Sequence, residues 1–308
     1  MTETHLTQPG IPDRPPSDWT SRQAALQAMA ERQLFFVGGA PRSGTTWLQS
    51  LLDAHPDISC RGEGLFPQEL AAPLDALFAR RREVIVAKNA RVFAHGAGYP
   101  VPDQDHADHL LATGILLALQ QQCGARQVRA VGEKTPENVF AFPRLLRLFP
   151  RAKFLVIARD PRDVLASAWH FFRNEPGSGE AEKWAFLQAA LPSIAEGARM
   201  AIAFATAHPE ATLSPTYEGL LADPQGWGAR LFAFLGVDAD PAKVAACIEA
   251  ASFRSMSGEA MRRGQGSGNG SFFRAGRAGG WQDTFDARMG ALIQRELDWM
   301  FDHYGWLR

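Results

Sequence analysis

Residues 34–52, LFFVGGAPRSGTTWLQSLL, constrain the fold more than any other stretch of the chain. An apolar run from Leu34 to Val37 breaks at Gly38 and Gly39, where the backbone must turn. An amphipathic helical pattern then opens at Gly44. Strand, glycine-rich turn and helix in this order gather the loop amides and the free N–H groups of the first helical turn at one point. That arrangement is an anion site.

The rest of the pattern supplies the sheet such a unit needs. Residues 128–132 (VRAVG) suit a second strand, and 153–158 (KFLVIA) form a continuous apolar run typical of a buried parallel strand. Pro161 stands where a helix start tolerates it, and helical spacing follows. Residues 20–32, 181–207 and 226–235 also read as helices, with a short strand at 211–213. Strands alternating with helices predict an α/β fold, a P-loop-like parallel sheet flanked by helices on both faces in a single domain. The expected domain runs from 19 to 308, after a polar, proline-rich arm at 1–18. Residues 257–280 are the most loop-like part of the chain, and four arginines within them suit either an anion-binding flap or a solvated linker.

The 308 residues are enough to bury a full α/β core, and the formal net charge is −1. No global field favours nucleic acid or anionic lipid, so anion binding must come from local arrangement. Cys60, Cys123 and Cys247 are scattered and form no C-x-x-C pair, which argues for reduced buried thiols and no metal site. The first twenty residues lack a basic start followed by an apolar run, and no stretch is long enough to span a bilayer. A cytoplasmic protein with no membrane segment is the expectation.

Gly39 to Thr46 reads G-A-P-R-S-G-T-T, whereas a nucleotide P-loop reads G-x-x-x-x-G-K-[ST]. Thr45 holds the lysine position, and the cation has moved into the loop as Arg42. The loop suits a phosphate better than a Mg²⁺-bound triphosphate. A second cluster runs from Arg159 to Ser167, R-D-P-R-D-V-L-A-S. Arg159 ends a buried strand, where open α/β sheets bind ligands, and Ser167 lies two turns into the next helix. Together they suit a second phosphate. Taken alone, R-D-P-R-D also fits an ordinary Arg–Asp pair at a helix start.

PRSGTTWL followed by RDPRDVLAS resembles the sulfotransferases that use 3′-phosphoadenosine-5′-phosphosulfate (PAPS) and release the bisphosphate PAP. The resemblance implies that Arg42, Ser43, Gly44, Thr45 and Thr46 grip the 5′-phosphosulfate. It implies that Arg159 and Ser167 grip the 3′-phosphate. It further places Trp47, Tyr217 and Phe253 around the adenine, and Arg274 and Gly276 in a late loop closing on the 3′-phosphate. Singly, these aromatics also suit plain core positions. In that late loop Ala275 and Gly280 depart from the family's lysine and aspartate, and Arg277 is a candidate replacement cation. Arg42 stands where the family usually carries lysine, a variant that resembles the tyrosylprotein and many bacterial members.

Sulfuryl transfer to a hydroxyl needs a base for the acceptor proton and charge stabilisation on the leaving phosphate. Pro136, after Gly132-Glu133-Lys134-Thr135, occupies the position of the histidine base of the cytosolic small-molecule members. The tyrosylprotein members instead use a glutamate shortly after the first helix, and Glu63 falls at the matching distance. Glu63 is therefore the expected base, with His170 and Glu133 as alternatives, and Lys134 is expected to face the leaving phosphate. Aromatic residues in 64–105, 139–142 and 169–186 (Phe66, Phe78, Phe93, Phe140, Phe142, Trp169, Phe171, Phe172, Trp184) form candidate acceptor walls, or core. They favour a small-molecule hydroxyl acceptor. A P-loop kinase or NTPase and a non-catalytic adenosine-bisphosphate binder remain the alternatives. The first is disfavoured by Thr45, the second by the presence of Glu63 and Lys134.

Overall fold

The computed structural model describes residues 18–172, 179–252 and 278–307. Residues 1–17 of the expected arm, Phe253, Arg274, Gly276 and most of the 257–280 stretch lie outside the described residues, while Asp18 belongs to the start of the domain.

Five parallel strands form one sheet: β1 (Gln33–Gly39), β2 (Ile58–Gly62), β3 (Ala130–Lys134), β4 (Lys153–Ile157) and β5 (Thr212–Leu213). Their spatial order is β2-β3-β1-β4-β5, so β1 is central. Parallel neighbours need crossovers, and helices supply them on both faces.

The alternation of side chains along β1 sorts the core into two layers. Leu34 and Phe36 face one side with Val131, Phe154 and Val156. That side is covered by α1 (Trp19–Ala30), α4 (Gln104–Cys123), α5 (Phe142–Leu148) and α7 (Glu180–Ala207). Phe35 and Val37 face the other with Leu155 and Ile157, under α2 (Thr45–Asp53), α9 (Pro224–Phe234) and α10 (Pro241–Ala250). A third apolar cluster joins α6 (Pro161–Phe172) and α7 to two C-terminal helices, α11 (Ala287–Glu296) and α12 (Asp298–Tyr304). The long α3 (Ala72–Val92) packs beside α4, and the short α8 (Tyr217–Ala222) follows β5.

Element ends follow local chemistry. Asp18 caps α1 by accepting from the Ser21 amide at 2.7 Å, which places the helix at 19–30 rather than 20–32. β3 runs to Lys134, two residues past the expected end, because its register with β1 continues to Val37. β2 is absent from the sequence reading. Its last two residues, Arg61 and Gly62, are exposed, so it lacks the fully apolar pattern of a central strand. Of the expected acceptor-wall aromatics, Phe66, Phe142 and Trp169 belong to the core instead, at 6%, 0% and 4% exposure. Phe93, Phe140, Phe171 and Phe172 remain at least partly exposed. No helix among the described residues is long and apolar enough to cross a membrane.

Candidate active site

The loop after β1 is shaped by two left-handed residues, Arg42 at φ 71° and Gly44 at φ 106°. Gly44 precedes the first turn of α2 without a capping side chain. Its Cβ, if present, would lie 2.7 Å from the Tyr217 ring, so the loop must pass this point as glycine. The Ser43 amide closes a turn onto the Ala40 carbonyl at 3.0 Å. The amides of Thr45, Thr46 and Trp47 open α2 and have no intrahelical acceptors. Ser43 Oγ is buried and has no partner among the described residues. A concave run of donors beside an unsatisfied hydroxyl fits a phosphate-like oxyanion.

Two arginines converge on this loop. Arg42 Nε donates to Ser167 Oγ at 3.2 Å, and its guanidinium lies 4.5 Å from the centre of the Phe171 ring. Arg159, beyond the end of β4, donates from Nη1 to the Arg42 carbonyl at 3.3 Å. It also stacks 4.4 Å over Tyr217 and approaches Asp163 at 3.6 Å. Burial, then the charge of Arg159, lowers the Arg42 pKa from its ordinary value. Two partly desolvated cations in one cleft are balanced best by a multivalent anion. Trp47 meets Tyr217 edge-on, ring centres 5.7 Å apart, which adds aromatic surface beside the charges.

Arg42, Ser43, Gly44, Thr45, Thr46, Trp47, Arg159, Ser167 and Tyr217 are thus gathered around one loop from sites spread along the chain. The buried orphan hydroxyl and paired cations fit a ligand with two phosphate-like groups. Asp163 is a residue whose role the sequence reading missed. It accepts from the amides of Gly279 at 2.7 Å and Trp281 at 2.9 Å, while facing Arg159. The four-residue spacing of Arg159 and Asp163 at a helix start signals their pairing, whereas the two backbone amides leave no mark in the sequence.

Beside the loop lies the second expected pair. Lys134 Nζ donates to Glu63 Oε1 at 2.5 Å. The lysine side chain is 4% exposed and the glutamate 42%. Strand register places Lys134 opposite both Val37 of β1 and Gly62 of β2. A Cβ at Gly62 would lie 2.9 Å from Lys134 Cε and 3.2 Å from Gln49 Oε1 of α2, so the lysine stem runs between the strand end and that helix. His170 is placed differently: its Nε2 is 2.8 Å from Thr284 Oγ1, which ties α6 to the turn before α11. Glu133 is buried among donors, and that burial raises its carboxyl pKa against the opposing pull of Asn138, Thr135 and the Gly64 amide.

A mostly apolar cleft adjoins the loop on the α7 side of the sheet. Ala40, Pro41, Val139, Phe140, Ile194 and Tyr304 are among its walls. Burial pushes the Tyr304 hydroxyl up to about 12, so it stays a neutral hydrogen-bonding group there.

The model of the sulfotransferase family matches residues 35–241. The chain is 33% identical to human protein-tyrosine sulfotransferase 1 over 130 residues, covering 42% of this chain and 32% of that protein. It is 33% identical to chicken (Gallus gallus) protein-tyrosine sulfotransferase 2 over 132 residues, covering 43% and 32%. Each match thus spans less than half the length of these curated relatives. Among solved structures, mouse sulfotransferase SULT7A1 complexed with PAP superposes with TM-score 0.56 at 18% identity, covering 91% of this chain and 88% of that one. The sulfotransferase domain of the Synechococcus PCC 7002 olefin synthase superposes with TM-score 0.55 at 19% identity, covering 90% and 95%. These two show a shared fold.

Proposed function

The chain belongs to the sulfotransferase family, and from that premise we propose that it transfers a sulfo group from PAPS to an acceptor hydroxyl, releasing PAP. The observation that carries this reading is the convergence of Arg42 and Arg159 on one loop beside the Trp47–Tyr217 pair. One arginine belongs to the anion loop and the other to the end of the next strand, which suits a nucleotide with two separate phosphate groups.

When bound, PAPS supplies an activated sulfuryl group. The chain's residues do the rest. Arg42 and the amides from Ser43 to Thr46 hold the 5′ end, and Arg159 and Ser167 hold the 3′-phosphate. Trp47 and Tyr217 supply π-faces for the base. Glu63 receives the proton of the acceptor hydroxyl as its oxygen bonds to sulfur and the bridging oxygen leaves with PAP. Lys134 orients Glu63 and places a cation where negative charge grows. Positioning and charge stabilisation supply most of the rate.

For the acceptor, the apolar cleft supports a small hydroxyl compound with an apolar body. A second reading, a tyrosine side chain of a protein, is favoured by the names of the curated relatives. One experiment separates them. The protein is incubated with labelled PAPS and phenols, aliphatic alcohols, sugars and tyrosine peptides, and products are scored for a single added sulfo group. Transfer to apolar phenols or alcohols supports the first reading, and transfer confined to tyrosine peptides supports the second. Glu63→Gln should lower turnover by roughly 10²–10⁴ with PAP binding retained. Near-normal turnover would assign the base elsewhere.

A further inference from the structure

Glu133 sits beside Lys134 yet takes no part in the reaction described above. It is 2% exposed, and both of its carboxylate oxygens are committed. Oε1 accepts the Gly64 amide at 2.7 Å and also the Thr135 hydroxyl. Oε2 accepts the Asn138 side-chain amide at 2.8 Å. The same Asn138 nitrogen reaches the Val37 carbonyl at 3.1 Å. Thr135 in turn accepts the Leu65 amide at 3.2 Å.

These contacts converge on one short stretch. Gly64 and Leu65 directly follow Glu63, and Leu65 holds a left-handed φ of 49°. A Cβ at Gly64 would lie 2.9 Å from the Phe66 ring and 3.1 Å from Glu133 Cγ, so this turn is pressed onto the buried carboxylate. At its other end the network touches Val37, two residues before the anion loop departs at Gly39. A buried carboxylate is costly unless fully hydrogen-bonded, and an apolar side chain would fill the same volume at less cost. Its retention here asks for a positional reason.

We infer that Glu133 is a positioning residue: from beneath the 62–65 turn it fixes where Glu63 stands relative to Lys134 and the anion loop. This rests on the reading of Glu63 as the base. Glu133 sets the backbone from which Glu63 projects, and Asn138 ties that setting to β1. A displacement of the Glu63 carboxylate by about 1 Å is enough to cost on the order of 10²-fold in rate.

The test uses Glu133→Gln and Thr135→Val in the full chain. The first turns one acceptor oxygen into a donor, so either the Gly64 amide or Asn138 loses its partner. The second replaces a hydroxyl by a methyl and removes the acceptor for Leu65. Hydrogen–deuterium exchange, read residue by residue by NMR, should speed up at Gly64 and Leu65 while the anion-loop amides are unchanged, and PAP affinity by calorimetry should stay within about twofold. Turnover with PAPS and 2-naphthol should fall roughly 10- to 100-fold for Glu133→Gln, with KM for PAPS unmoved. The loss should largely vanish when Glu133→Gln is added to Glu63→Gln, because a residue acting through another has nothing left to position.

Unchanged exchange at Gly64 and Leu65 overturns the inference whatever the kinetics show. So does an equal loss of turnover in the presence and absence of Glu63. If Glu133→Gln fails to fold, Thr135→Val carries the same exchange measurement and cycle. Near-normal turnover of Glu63→Gln alone would sink the base assignment on its own measurement, and this inference with it.

Discussion

Arg159 and Arg42, 117 positions apart, are joined by a 3.3 Å hydrogen bond from the guanidinium of one to the backbone carbonyl of the other. The bond spends a donor of Arg159 on the loop that carries Arg42. It also keeps two like charges close enough that the Arg42 pKa drops, through burial first and Arg159 second. Such a seam is stable when an anion lies along it.

Arg159→Ala should therefore discriminate between nucleotides. Loss of charged hydrogen bonds is worth about 1.5–3 kcal/mol, or roughly 10- to 150-fold in affinity. PAP should lose that factor, and 5′-AMP, which lacks the 3′-phosphate, should lose little. Calorimetric titration of both nucleotides reads the difference. An equal loss for the two would place Arg159 away from the 3′ end.

Gly44→Ala should weaken both fold and binding. Its Cβ would meet Tyr217 at 2.7 Å with φ at 106°. Overpacking of this kind costs about 1–3 kcal/mol. Gly236→Ala is the control, since that glycine has φ 69° and open space around its Cβ. Urea titration should show the larger loss at Gly44, with PAP affinity reduced only there.

Lys134→Met should leave the fold intact while turnover falls. The lysine is buried, but Glu63 is 42% exposed and can regain water once its partner is gone. Truncating a preorganised electrostatic contact to the transition state costs on the order of 10²–10³ in rate. Single-turnover transfer from labelled PAPS, beside a thermal melt, separates the two effects.

Asp75 gives a pH signature. Arg144 donates to both of its carboxylate oxygens, at 2.6 and 2.8 Å. These hydrogen bonds, against some burial, lower its pKa from the ordinary 3.8. A carboxyl depressed in the folded state stabilises the fold above 3.8, and that contribution is lost as pH falls through the lower folded value. Asp75→Asn should therefore be less stable than the parent at neutral pH and converge with it as the solution is acidified below about pH 4. Denaturant midpoints across pH 2 to 7 would show it, and parallel curves would count against it.

The strand–loop–helix at the N-terminal end was legible because its apolar run, glycines and helical period follow one another without interruption. β4 and the start of α6 were legible for the same reason, with Pro161 marking the helix boundary. β2 was not, because Arg61 and Gly62 leave its end exposed and break the apolar pattern. Nor was α3, in which none of the 21 residues is buried, so its sequence shows no core-facing stripe. In the site, charges named in the sequence came together around the loop. The partners of Glu133 and the double amide contact on Asp163 did not announce themselves, because backbone N–H groups have no sequence signature. Among the acceptor-wall aromatics, ring type alone could not separate Phe142, wholly buried, from Phe140 next to the cleft.

The central place of β1 carries a consequence for how such a chain can diversify. Its two flanking strands end in Lys134 and, just past Ile157, in Arg159, so the cations that would meet the donor ride on three adjacent rungs that share one hydrogen-bonded ladder. Shifting any one rung would drag the others. Helix α7 carries no such obligation, and changes at Ser193, Ile194 or Ala198 would reshape the wall of the neighbouring cleft without moving those rungs.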